Sequence, residues 1–147
     1  VARRPAGAEA PPRQGAQAAH GQHPPEAARV ISVAGPRSFP KALRIRRRRQ
    51  FLSIQRDGTR RHTAHLVFIR CRGETEWPRL GVTVSARVGN SVQRNRIKRL
   101  LREVFRHQRT NVAPCDLVVI AKSGAGELTY GQAVREFSDA LGLVSKR

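Results

Sequence analysis

Three features are scarce in this 147-residue sequence: long apolar runs, cysteine and aromatic side chains. No apolar run approaches the roughly 20 residues that a membrane-spanning helix needs, which excludes a membrane-spanning protein. The two cysteines, Cys71 and Cys115, are too few for a disulfide-rich scaffold or, by themselves, for a metal site. One tryptophan, one tyrosine and five phenylalanines allow only a small base-stacking surface.

The chain also lacks the residue groups of a catalyst built from protein side chains. Its ten acidic residues are scattered, and no pair has the spacing of a two-carboxylate hydrolase. The histidine pairs His20/His23 and His62/His65 have no cysteine or acidic partners placed to complete a zinc shell. Neither a phosphate-binding glycine loop nor a dinucleotide fingerprint is present. We therefore expect no catalytic residue, no metal site and no small-molecule substrate in the protein itself.

Positive charge is present in large excess. The chain has 29 lysines and arginines against 10 acidic residues, a formal net charge of +19. Such a charge repels itself in a compact fold unless an anionic partner neutralises it, and nucleic acid is the first candidate, ahead of an anionic membrane surface. Arginine outnumbers lysine by 25 to 4. Its planar guanidinium grips phosphates bidentately, although codon bias produces the same excess.

Residues 1–40 differ in composition from the rest of the chain. They hold seven of the nine prolines and ten alanines, with few larger apolar side chains. Such a segment buries too little apolar surface to offset its ordering entropy. We predict a disordered tail over residues 1–40, without an assigned function, followed by one RNA-binding α+β domain over residues 41–147. The tail lacks the continuous apolar centre of a secretory signal, and we expect a cytoplasmic location.

The hydrophobic pattern predicts the element order helix, strands, helix, strand, helix. Helices are predicted over residues 43–55, from Asn90 or Ser91 to about residue 107, and from a capping box at Thr129 to residue 141. Strands are predicted over residues 65–71, 80–85 and 117–121, with residues 73–78 as a hairpin loop between the first two. The continuous apolar run at 117–121 is typical of a strand buried on both faces. The order indicates an α+β two-layer sandwich with helices over a small sheet.

The segment over residues 90–106 is the most informative. At helical spacing its large apolar residues share one side, and its polar side carries Asn95, Lys98, Arg99, Arg102 and Arg106. Residues 94–102 contain five cations and no acid. Like charges four residues apart cost an isolated helix about a few tenths of a kcal/mol per pair, which a bound phosphate offsets. A solvated basic face is the alternative, but the charge excess of the whole chain favours a nucleic-acid face.

A second basic cluster lies at residues 44–49, with five arginines in six residues next to Phe51. Cations beside a single ring suit single-stranded nucleic acid, because a base stacked on the ring contributes roughly 1–3 kcal/mol. Alternatively, Phe51 anchors the first helix to the sheet. The sequence favours neither interpretation.

These residues resemble the bacterial ribonuclease P protein component over about residues 43–141. The resemblance depends chiefly on Arg94-Asn95-Arg96. It is supported by the sequences LGVTVS at 80–85, VGN at 88–90 and DLVVIA at 116–121, and by Phe51 with Gly58-Thr59.

The resemblance implies a small mixed sheet, three helices and a left-handed crossover, against the usual right-handed rule. It implies two partners, a catalytic RNA subunit and precursor tRNA, whose 5′ leader the RNA removes with Mg²⁺ bound mainly by RNA. The protein is then a non-catalytic subunit of an endoribonuclease. It binds the RNA subunit through the motif region and the leader in a cleft between the first helix and the sheet.

Carried over by position, the RNA-binding residues are those of the motif helix and its flank: Arg94, Asn95, Arg96, Lys98, Arg99, Arg102, Arg87 and Asn90. The leader-binding residues are Phe51 and Arg46. The chain departs from the family at Gln55 and Ile69, where aromatic residues are common, and at Ala86, where a lysine is common. The alternative function is a ribosomal or other structural RNA-binding protein of similar fold, without a role in processing.

Overall fold

The computed structural model describes residues 39–143, so residues 1–38 of the tail predicted over residues 1–40 lie outside the described residues. We label the helices α1 (Arg48–Asp57), α2 (Ser91–Gln108) and α3 (Tyr130–Leu141), and the strands β1 (Thr59–His62), β2 (Leu66–Cys71), β3 (Arg79–Val84) and β4 (Asp116–Ala121). Short 3₁₀ turns connect several of them. None of the helices in this range is long and apolar enough to cross a membrane.

The four strands form one mixed sheet in the order β1-β2-β4-β3. β4 pairs antiparallel with β2 and parallel with β3, so β2 and β3 are not neighbours. The prediction of a hairpin loop at residues 73–78 was therefore wrong. The reason is the apolar run of β4, which is buried on both faces and therefore lies inside the sheet between the two strands.

β1 was missed because its sequence, TRRH, has no apolar residue and all four side chains are exposed. It pairs antiparallel with β2, with Thr59 opposite Arg70. A charged edge strand is defined by its backbone hydrogen bonds to the neighbouring strand. Those bonds do not require alternating apolar and polar residues, so the sequence carries no pattern that predicts such a strand.

The first helix begins at Arg48 rather than at residue 43. Residues Lys41–Leu43 form a 3₁₀ turn, and Arg44 then bridges to Leu80 in extended conformation. The Ile45 amide donates to the Leu80 carbonyl at 2.9 Å. Leu43 and Ile45 are both buried, two residues apart. This is strand spacing, and it overrides the helical stripe that was predicted to include Leu43.

Helices lie on both faces of the sheet. The larger core cluster joins α2 and α3 to one face, where Phe68 of β2 packs against Phe137 of α3 with ring centroids 5.0 Å apart. The smaller cluster joins α1 to the other face through Ile54, Ile69 and Val118. The α+β class, the mixed sheet and the three helices are confirmed, and α1 adds a covering on the side opposite α2 and α3. β3, α2 and β4 form the crossover, whose left hand stays a prediction.

Polar pairs fasten the ends of these elements. Arg79 donates bidentately to Asp116 at 2.7 and 2.6 Å, joining the first residues of β3 and β4. On α3, Glu136 accepts from Thr63 and from the backbone amide of His65 in the turn before β2. Burial raises the pKa of Glu136, but these bonds outweigh it and the net pKa is lowered.

Phe39 and Pro40, predicted as the end of the tail, contact the folded domain. The Phe39 ring packs edge-on against Phe105 of α2 at 5.5 Å. The Pro40 carbonyl accepts from the Leu43 amide at 3.0 Å. Contacts with the folded domain therefore include at least these two residues before the predicted boundary.

Replacing Gly89 by alanine should lower the free energy of unfolding by about 2–3 kcal/mol. Gly89 has φ +153°, and an added Cβ would lie 1.9 Å from Oε1 of Gln93, which caps α2. Chemical denaturation measures the change. Gly124→Ala is the matched control, since no atom lies within 4 Å of its added Cβ. Equal stability of the two variants would contradict the strain assigned to Gly89.

Candidate nucleic-acid interface

The start of α2 is fixed by a reciprocal cap. The Asn90 side chain accepts from the Gln93 amide at 2.9 Å, and Gln93 accepts from the Asn90 amide at 3.1 Å. The predicted caps at Asn90 and at Thr129 of α3 are both confirmed. The Asn90 cap sets the point at which Arg94-Asn95-Arg96 enters the helix, one turn later.

One side of α2 is buried and the other is open to solvent. Ile97, Leu101, Val104 and Phe105 are buried against the sheet and α3. We use the term α2 basic face for six side chains in the first three turns of the helix: Arg94, Asn95, Arg96, Lys98, Arg99 and Arg102. Asn95, Arg99 and Arg102 are exposed, and Lys98 is half-buried. The predicted division of the helix into an apolar and a basic side is confirmed.

The three motif residues have different surroundings. Asn95 is exposed and has no side-chain partner within the described range. Arg96 donates to the carbonyls of Gly126 and Leu128, both at 3.2 Å, so its guanidinium also ties α2 to the turn before α3. Arg94 is half-buried, and its Nε has no hydrogen-bond partner among residues 39–143. Within the motif, Asn95 is thus an exposed amide, Arg96 is a cation that also supports the fold, and Arg94 is a cation with one unsatisfied donor.

The two flanking candidates differ in their freedom to bind. Arg87 is exposed in the 3₁₀ turn Ala86–Val88. Asn90 is exposed too, but its carbonyl oxygen is occupied by the cap. The side-chain amide nitrogen of Asn90, which takes no part in the cap, is therefore freer to contact a ligand than its side-chain oxygen.

Acid is absent from the open part of the α2 basic face. Glu103 is the single carboxylate of α2, and it accepts from Arg106 and approaches His107 Nε2 at 2.9 Å near the C-terminal end. Hydrogen bonds from these two residues lower the pKa of Glu103. Arg94 lies instead in the first turn of α2, where the helix dipole disfavours cations and favours anions.

The Phe51 ring of α1 packs over Gly81 of β3, where the strand has no side chain. A Cβ on Gly81 would lie 2.7 Å from two carbons of the Phe51 ring, so only glycine permits this contact. The ring is half-buried. Both earlier interpretations of Phe51 are thus compatible with its position, because one part of the ring packs on β3 while another part remains accessible.

A groove of about 470 Å³ runs beside this ring. We call it the α1 groove, and it is lined by Arg46, Arg48, Phe51, Leu52, Gln55 and Thr83. Sequence reasoning identified Arg46 and Phe51 but missed Thr83. The signal was available: Leu80, Val82 and Val84 alternate toward α2 and α3, so Gly81 and Thr83 face α1.

The register of β2 decides which of its residues face α1. Ile69 packs with Ile54 in the cluster under α1, whereas Phe68 points to the opposite face and contacts Phe137. The assignment of Ile69 to the usually aromatic position is therefore consistent with the structure. With Gln55 also lining the groove, Phe51 is the one ring of the described chain that lines it.

The described residues include no cluster of metal-binding side chains. No group of three or more histidine, cysteine, aspartate or glutamate side chains in this range is placed to hold a metal ion. Cys71 and Cys115 are free and belong to clusters on opposite faces of the sheet. Burial raises the pKa of the Cys115 thiol, which keeps it protonated at neutral pH.

Comparisons with known proteins place this arrangement in a family. The family model described as Ribonuclease P matches residues 39–144. The ribonuclease P protein component of Syntrophus aciditrophicus is 42% identical over 105 residues, which cover 71% of this chain and 88% of that protein. The component of Desulforapulum autotrophicum is 39% identical over 114 residues, 77% of this chain and 94% of that protein.

Solved structures agree. The RNase P protein of Staphylococcus aureus matches with a TM-score of 0.65 at 32% identity, covering 71% of this chain and 97% of that one. The RNase P protein of Thermotoga maritima matches with a TM-score of 0.62 at 25% identity, covering 69% of this chain and 97% of that one. By its sequence and its fold, the chain belongs to the family of ribonuclease P protein components.

Proposed function

We propose that this chain binds the catalytic RNA of ribonuclease P through the α2 basic face and the 5′ leader of precursor tRNA through the α1 groove. In this role it promotes Mg²⁺-dependent removal of the leader, while the RNA performs the chemistry. The proposed location is the cytoplasm, where precursor tRNA is present in bacteria.

The observation that carries the proposal is an exposed helical face with cations and no acid. Like-charged neighbours such as Lys98 and Arg102, and the cation Arg94 in the first turn of α2, each cost stability in the free protein. A phosphate backbone reverses the sign of both effects, because it supplies the negative charge that the face lacks.

The α1 groove suits a single strand better than a duplex. One accessible ring is enough to stack one base, and Arg46 and Arg48 at its border can follow the backbone. The groove also contains the Gln55 amide and the Thr83 hydroxyl, which make no side-chain hydrogen bond within the described residues. These groups can hydrogen-bond to an unpaired nucleotide.

The described side chains do not fit a Mg²⁺ site of their own, since no carboxylate cluster adjoins the α2 basic face or the α1 groove. Mg²⁺ in phosphoryl transfer stabilises charge and activates water, and phosphate oxygens of an RNA are suitable ligands. The part left to this chain is to hold the two RNAs in position. The alternative of a ribosomal or other structural RNA-binding protein has the same charge but lacks the support of the family match.

The chain should restore accurate leader removal when mixed with a ribonuclease P RNA and precursor tRNA at low Mg²⁺. Cleavage is measured by gel analysis of end-labelled precursor, with the RNA alone as the control. Absence of stimulation at every salt and Mg²⁺ concentration would overturn the proposal. Copurification of whole ribosomal subunits instead of one RNA would support the alternative.

Arg99→Gln should weaken binding to the RNA subunit and reduce the slope of log K against log salt concentration by about 1. Arg99 is exposed and has no described partner, so the change removes a phosphate contact without removing a fold contact. Arg96→Gln should do the same and also lower the melting temperature, because two bonds to carbonyls are lost. Arg135→Gln on α3 is the control. If the salt slopes of Arg99→Gln and Arg96→Gln are as unchanged as that of the control, the Arg99 and Arg96 side chains do not contact phosphate.

Phe51→Leu should leave the fold intact and weaken binding of leader-containing precursor, by about 1–3 kcal/mol if one base stacks on the ring. The comparison uses holoenzyme with precursor tRNA and with mature tRNA, which has no leader. Only the former should lose affinity. A lower melting temperature with unchanged leader affinity would assign Phe51 to the core alone.

A further inference from the structure

Four cationic side chains converge on a second cavity, of about 300 Å³, between the segment before α1, β3 and α2. They are Lys41, Arg44, Arg46 and Arg102. Leu80, Val82 and the rings of Phe39 and Phe51 supply its apolar lining. No carboxylate of the described chain lines this cavity. We call it the Arg44 cavity.

Arg44 is held in place from several sides. Its guanidinium lies 4.9 Å from the centroid of the Phe39 ring and donates to the Phe39 carbonyl at 3.0 Å. The backbone of Arg44 bridges to Leu80 on β3. Because Phe39 packs on Phe105 of α2, the segment that carries Arg44 is attached to both β3 and α2. The position of this cation is thus set before any ligand binds.

Arg102 faces Arg44 from α2 without a compensating charge. Partial burial, and then the charge of Arg44, lower the pKa of Arg102, although an arginine remains protonated at neutral pH. Three arginines elsewhere in the described chain do have acidic partners: Arg56 pairs with Asp57, Arg79 with Asp116 and Arg106 with Glu103. Around the Arg44 cavity the cations are fixed near one another and the acid is missing.

We propose that the Arg44 cavity binds one phosphodiester phosphate of RNA between Arg44 and Arg102, with Lys41 and Arg46 at its border. The proposal rests on the proposed function. It adds Lys41 as a binding residue and gives Arg44, one of the five arginines of the 44–49 cluster, a specific ligand and a partner in Arg102. Guanidinium groups from two directions match the geometry of phosphate oxygens, and the anion cancels the repulsion between them.

The location of the cavity gives this phosphate a bridging role. Arg46 and Phe51 line both the Arg44 cavity and the α1 groove. Arg102 belongs at the same time to the α2 basic face. A phosphate held here therefore lies where the two RNA-binding surfaces meet.

The first test uses inorganic phosphate as the probe and the full chain. Melting temperatures are measured in phosphate and in chloride at equal ionic strength for the original protein, Arg44→Gln, Arg102→Gln and the control Arg135→Gln. Phosphate should raise the melting temperature of the original protein and of the control, and both cavity variants should lose most of that increment. Equal increments in all four proteins, or none in any, would overturn the site.

The second test identifies the source of the phosphate. Arg44→Gln should lose about tenfold in affinity, the loss expected for one charge-assisted contact. A loss for the RNA subunit alone assigns the phosphate to that RNA. A loss confined to holoenzyme binding leader-containing precursor assigns it to the leader. Unchanged affinity in both arms, with the phosphate increment still lost in the variants, would overturn the RNA assignment and leave a site for free anions.

Cleavage by holoenzyme made with the original protein separates this proposal from the proposed function. If that holoenzyme removes the leader while Arg44→Gln binds both RNAs with unchanged affinity, only the cavity proposal fails. If it gives no stimulation while the phosphate increment still depends on Arg44 and Arg102, the proposed function fails and the anion site remains.

Discussion

The burial of Ile97, Leu101 and Phe105 against the sheet and α3 fixes the rotation of α2 about its own axis. Each such side chain contributes about 1.5–3 kcal/mol when it is fully buried. The repulsion between like charges on the other side costs only about a few tenths of a kcal/mol per pair. The free energy of burying the apolar side therefore exceeds the cost of the repulsion. The cations are held together on an exposed surface despite repelling one another. The whole interface depends on this difference in magnitude.

Two glycines permit close approaches beside the proposed binding surfaces. Gly89 adopts a conformation open essentially to glycine and leaves room for the Gln93 cap, which sets where the motif enters α2. Because Gly81 has no side chain, the Phe51 ring packs directly against the backbone of β3. A Cβ at either position would displace a side chain on which the geometry of a binding surface depends.

Three acidic residues make contacts that hold the fold together. Asp116 holds Arg79, Glu136 holds the turn before β2, and Glu103 holds Arg106. Each carboxylate satisfies groups that lie away from the first turns of α2. The scarcity of acid and its placement together leave the α2 basic face and the Arg44 cavity uncompensated. This explains physically how a strongly basic chain becomes selective in where it presents its charge.

The sequence by itself determined the α+β class, both helix caps and the two-sided character of α2. These features follow from local spacing, because a helix repeats every 3.6 residues and a capping box joins residues three positions apart. It also indicated the family through Arg94-Asn95-Arg96. Tertiary structure alone decided that β4 separates β2 from β3, that β1 exists, and that Leu43 and Ile45 extend along β3. It alone brought Arg44 beside Arg102, 58 positions along the chain. The physical reason is that strand pairing and the meeting of distant cations are long-range contacts, which leave no periodic pattern in the residues that make them.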